Sequence, residues 1–96
     1  MSREELVYEI SRCGQGLMEL KQVKKSLHKL LPTRFAQIAK NYRQNNKATK
    51  AARLALVDPQ YLSYVEELAH ISLLHQQARI RWETYQLFYV SRFYRR

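Results

Sequence analysis

Ninety-six residues carry 17 Lys+Arg against 8 Asp+Glu, a formal net charge of +9 at pH 7 and a pI near 10.0. With Gly 2, Pro 2, 46% hydrophobic and 26% charged residues, the chain is too apolar for disorder and too poor in turn residues for a many-stranded β fold. A lone cysteine, Cys13, excludes an internal disulfide framework, and no run approaches the ~20 apolar residues of a membrane span.

Ser2-Arg3-Glu4-Glu5 reads as a capping box and starts a helix. Arg3, Glu4, Glu5 and Glu9 also break any signal-peptide pattern, so a cytoplasmic location is expected. Leu6, Ile10, Cys13, Leu17, Leu20, Leu27 and Leu31 then recur at heptad spacing, with Lys24 at the one missing position. Gly14 and Gly16 each weaken such a helix by about 1 kcal/mol relative to Ala, which implies close packing or local weakness. Pro32 removes a backbone donor, yet Phe35, Ile38, Ala39 and Tyr42 resume helical spacing at once. The expectation is one helix over about 3–44, kinked at Pro32 or broken at 31–33.

Arg43-Gln44-Asn45-Asn46 marks a turn, and the alanine-rich stretch 47–57 suits a short helix within a connector over 45–58. Asp58-Pro59, an N-cap followed by proline at N1, starts a helix running to about residue 94. Tyr64, Leu68, Ile71, His75, Ala78, Trp82, Tyr85 and Tyr89 form its seam in steps of 4 and 3. The expected fold is all-α, a single domain built as an antiparallel two-helix coiled-coil hairpin.

A second apolar set on the last helix, Leu73, Ile80, Leu87, Val90 and Tyr94, lies roughly opposite the seam at about 100° per residue. One neighbouring helix covers one face, so the other predicts self-association, most simply a two-fold dimer forming a helical bundle.

The charge is concentrated. Residues 1–19 sum to −2, residues 20–57 to +10, residues 58–83 to −2 and residues 84–96 to +3. The central segment holds Lys21, Lys24, Lys25, Lys29, Arg34, Lys40, Arg43, Lys47, Lys50 and Arg53 and no acid. A charge run is commonly a solvated face. Ten cations without one anion go beyond that, and suit the phosphates of a nucleic acid or an acidic protein surface. If helix continued past Tyr42, Lys40, Arg43, Lys47 and Lys50 would form one stripe. Arg92, Arg95 and Arg96 stand among Phe88, Tyr89, Phe93 and Tyr94 and can add phosphate or stacking contacts. Trp82, Tyr85 and Tyr89 belong to the seam and read as core. No helix-turn-helix, zinc-finger or bZIP spacing is present.

Catalytic and metal chemistry find little support. Glu67-x-x-His70 matches one half of a di-iron helix motif, but the second motif and the further carboxylates are missing. His70 and His75 diverge by about 140° on a helix and cannot chelate together. Cys13 has no visible base and reads as a small buried hydrophobe, and Cys13-Gly14-Gln15-Gly16 lacks the strand and Gly-Lys-Ser/Thr of a phosphate loop. No catalytic residue, metal ligand or cofactor is expected.

The string Ala-Arg-Leu-Ala-Leu-Val-Asp-Pro-Gln-Tyr-Leu-Ser-Tyr-Val-Glu-Glu-Leu-Ala from Ala51, with Ala78-Arg79 and Trp82-Glu83, resembles small phage and mobile-element helical-hairpin proteins of unassigned role. In that group an alanine-rich or basic connector leads into an Asp-Pro-x-Tyr helix start. The resemblance covers residues 51–96 and implies a place in DNA handling. It transfers no site residue, and the very basic first helix and aromatic C-terminus depart from it. The expectation is therefore a non-enzymatic nucleic-acid-binding protein. The alternative is a protein-interaction module, such as an adaptor, a chaperone or an inhibitor of a host system.

Overall fold

The computed structural model describes residues 1–94. These form three helices: α1 (Arg3–Arg43), α2 (Ala48–Leu56) and α3 (Pro59–Phe93). No strand occurs among the described residues. Arg95 and Arg96 lie outside the described residues.

Local chemistry accounts for the helix ends. Ser2 Oγ accepts the Glu5 N–H at 3.1 Å, with Glu4 and Glu5 in the first turn of α1 and Lys40 and Arg43 in its last, as the helix dipole favours. Asp58 Oδ1 accepts the Gln60 N–H at 2.8 Å, and Pro59 follows as the first residue of α3. Between α1 and α2, Asn46 Nδ2 donates to the Tyr42 carbonyl at 2.9 Å.

Pro32 does not divide α1. The helix is continuous over 41 residues, so the alternative of a break at 31–33 is set aside. Proline at this point removes the donor that would meet the His28 carbonyl, at a cost near 3 kcal/mol in an isolated helix. Packing on both sides of Pro32 offsets it, through Leu27 and Leu31 before and Phe35 and the buried Ile38 after.

α1 packs mainly against α3, and α2 packs chiefly on α1, touching α3 lightly. Along the α1–α3 contact the residue numbers run in opposite senses. Arg3 Nε donates to Tyr89 Oη at 3.2 Å, Gly14 faces Trp82, Arg34 meets Glu67 at 3.6 Å, Phe35 stacks edge-on with Tyr61 at 5.2 Å, and Tyr42 Oη donates to Asp58 Oδ2.

The molecule measures 69 × 18 × 16 Å with a radius of gyration of 20.7 Å, against roughly 13 Å for a compact domain of this length. So thin a shape has little interior. Leu6, Ile38, Ala51 and Ala55 are buried, whereas α3 has no fully buried residue. The expected core aromatics Trp82, Tyr85 and Tyr89 are half-buried, as is Cys13, which is therefore not the fully buried hydrophobe its seam position suggested.

Candidate nucleic-acid interface

The basic segment is distributed over α1, the turn and α2. Lys21, Lys25 and Lys29 follow one another at single-turn spacing and are all exposed. Lys40 and Arg43 project from the last turn of α1, Lys47 stands at the N-cap of α2, and Lys50 and Arg53 project from α2; all five are exposed. Because α1 ends at Arg43 and α2 begins at Ala48, Lys40, Arg43, Lys47 and Lys50 do not make one continuous helical stripe. They sit on two helices joined by a turn. Ala51 and Ala55 press α2 onto its neighbours, and Arg53, about half a helical turn from both, faces outward.

Two of the ten cations are half-buried. Arg34 is half-buried, its guanidinium 4.1 Å from the centre of the Tyr64 ring and 3.6 Å from the Glu67 carboxylate. Among the described residues it is the only one of the ten in an ion pair. Lys24, at its seam position, is half-buried and shares with His75 a groove also lined by Ser72, Gln76 and Arg79. The two polar interruptions of the seams thus line one groove.

α3 adds cations that the sequence partition hid inside a net −2 segment. Arg79 lies at the rim of that groove and pairs with Glu83 at 3.1 Å, while Arg81 lines a cleft with Arg12, Cys13, Gly16, Leu20 and Ala78. The Arg79–Glu83 pair is exposed and of i,i+4 type, so it contributes only about 0.3–0.5 kcal/mol and does not immobilise Arg79. Heptad position, not regional net charge, is the signal that finds these residues.

Arg92 is exposed near the Phe93 ring, and Phe88 and Tyr94 are exposed beside it. Phe93 is half-buried and Tyr89 contacts both Phe93 and Tyr94 at 5.4 Å between ring centres. The Arg3 guanidinium, hydrogen-bonded to Tyr89, holds that phenol below its ordinary pKa. At the other end, the Tyr42 hydroxyl and the Gln60 N–H hold the Asp58 carboxyl below its ordinary value, and Asp58 in turn raises the Tyr42 phenol.

Leu73, Ile80, Leu87, Val90 and Tyr94 are 52%, 57%, 70%, 56% and 62% exposed. No group of three or more His, Cys, Asp or Glu residues suited to a metal is found among the described residues. No helix among them is long and apolar enough to cross a membrane. Comparison with protein-family models, curated proteins and solved structures finds no match for the chain.

Proposed function

We propose that the protein is a non-enzymatic, self-associating antiparallel helical hairpin that binds nucleic acid through phosphate contacts. The carrying observation is the exposure of Lys21, Lys25, Lys29, Lys40, Arg43, Lys47, Lys50 and Arg53 across α1 and α2. None of these eight meets a carboxylate within 4.0 Å among the described residues. Unpaired exposed cations retain their full field and release counterions from a polyanion. Arg34, held by Glu67 and Tyr64, contributes least. Arg92, with Arg95 and Arg96 in the sequence after it, extends the surface at the far end. A role in phage or mobile-element DNA handling is what the resemblance over residues 51–96 implies, and a cytoplasmic location is what Arg3, Glu4, Glu5 and Glu9 near the N-terminus imply. Leu73, Ile80, Leu87, Val90 and Tyr94 supply the self-association face.

The second reading is a protein-interaction module using that apolar face on a partner helix, with the basic segment steering toward an acidic protein. Its support is the exposure of those five residues. Two charge-reversed variants separate the readings. One changes Lys21, Lys25 and Lys29 to Glu in mid-helix, the other changes Lys40, Arg43, Lys47 and Lys50. In gel shifts with single- and double-stranded probes, both lose binding at least tenfold while sedimentation is unchanged. Wild-type binding in both variants, or no binding by the wild type, overturns the proposal in favour of the second reading.

A further inference from the structure

The face of α3 opposite its seam has a pattern of its own. Leu73, Ile80, Leu87 and Tyr94 recur every seven residues, with Gln76, Glu83 and Val90 three residues after the first three. This is a second heptad seam in steps of 3 and 4, about 32 Å long at ~1.5 Å per residue. α1 packs on the other seam of α3, where Gly14 faces Trp82 and Phe35 meets Tyr61, and the strip's Leu73 and Val90 border grooves shared with Lys24 and with Val7 and Ile10 of α1. α2 packs chiefly on α1. Five of the strip's seven positions, Leu73, Ile80, Leu87, Val90 and Tyr94, are apolar or aromatic and more than half exposed, a row unusual on a monomer.

We infer that this strip pairs with the same strip of a second copy, antiparallel, about a two-fold axis crossing α3 between Arg81 and Trp82. The inference rests on the self-association reading and fixes its partner and register. In an antiparallel seam the two classes of core position alternate across the interface. Leu73, Ile80 and Leu87 then lie level with Val90 of the partner subunit, Glu83 of the partner subunit and Gln76 of the partner subunit.

Charge selects this register from the others. It brings Arg79 within about one residue's rise of the partner's Glu83, and Arg79 already pairs with its own Glu83 at 3.1 Å. The two arginines and two glutamates form an alternating ring around the axis. Sliding by one heptad in either direction separates Arg79 from the partner's Glu83 by about 10 Å along the axis. A parallel pair sets Glu83 level with the partner's Glu83 and Arg79 level with the partner's Arg79, whereas the antiparallel register offsets the two glutamates by about 4.5 Å along the axis and places an arginine beside each. Long-range charge agrees: the strip lies on the helix with the lower charge, while the +10 of residues 20–57 sits on α1, α2 and the turn, outside the pairing. The polyanion surface stays open in the dimer.

The test is cysteine crosslinking in a Cys13→Ala background. The double variant Leu73→Cys/Val90→Cys forms a covalent dimer under mild oxidation, whereas neither single variant does. Within one chain the two positions are about 26 Å apart on a straight helix, too far for a disulfide. Crosslinking of each single variant to itself, or a double variant that stays uncrosslinked while sedimentation shows a dimer, overturns the register and leaves self-association standing. A monomer in sedimentation at micromolar concentration overturns both.

Discussion

The two glycines of α1 share a composition and differ in what they face. A Cβ added at Gly14 would lie 3.0 Å from Trp82 Nε1, whereas at Gly16 nothing stands within 4 Å. Gly14 is therefore the reason an indole fits the seam, and Gly16 leaves an open cleft beside Arg81. Helix propensity alone favours alanine at either position by about 1 kcal/mol. Gly16→Ala is expected to deliver most of that and raise Tm by a few degrees. Gly14→Ala must displace Trp82 and gains less or loses outright, with a shifted tryptophan emission maximum. Equal stabilisation by both, measured by thermal unfolding, would remove the packing role assigned to Gly14. Residue-scale reasoning from the sequence could say that something must be close to one of these glycines. It could not say which, because 14 and 16 differ by 200° around the helix and only the partner's position decides.

At the scale of elements, the legible features were those with local causes. The Ser2 and Asp58 caps, the turn near residue 45 and the short second helix each follow from a few adjacent residues, and all are present. Illegible were the features made by residues far apart in sequence. Pro32 is overruled by tertiary contacts, and Arg34 is drawn to Tyr64 and Glu67 across the seam. Lys24 and His75 were each visible as a polar interruption, and the groove they share was not. The clearest case is Tyr42, whose hydroxyl reaches the capping carboxylate of α3 and so ties the end of α1 to the start of α3. That bond and the Gln60 N–H lower the Asp58 pKa. A carboxylate depressed on folding stabilises the native state above its unfolded value of about 3.8, and the gain is lost as pH falls through the lower folded value. Thermal midpoints should therefore fall between pH 5 and pH 2 by more in the wild type than in Tyr42→Phe, once other carboxylates have contributed equally to both. Parallel pH profiles for the two proteins would show that the Tyr42 bond carries no acid sensitivity.

For the whole molecule, the decisive relation is between shape and charge. A rod 69 Å long leaves most of its lysines and arginines exposed along its length, so the charge is presented as a line of cations instead of a point. At physiological ionic strength the screening length is about 8 Å, so Lys21, Lys25 and Lys29, about 6 Å apart in succession, act together, while the cations from Lys40 onward, about 16 Å farther along, act as a separate group. Their number then sets the salt dependence. Each neutralised duplex phosphate contributes roughly 0.9 to the slope of log affinity against log salt, so the eight exposed, unpaired cations of α1, the turn and α2 allow a slope of up to about 7. A narrow rod lying along one face of a duplex brings only part of that line into register, and a slope of about 3–5 is expected for wild type. Lys21→Gln/Lys25→Gln/Lys29→Gln, which removes charge without reversing it, should lower the slope by about 2 units, because these three share one side of α1 and engage together. Arg34→Gln should leave the slope within about half a unit of wild type, since its charge is already met by Glu67. Filter binding from low salt to about 0.3 M measures all three. A wild-type slope below 1, or an Arg34 variant that falls as far as the triple lysine variant, would show that affinity does not come from the exposed cations, and the line of charge would then serve only to keep the rod in solution.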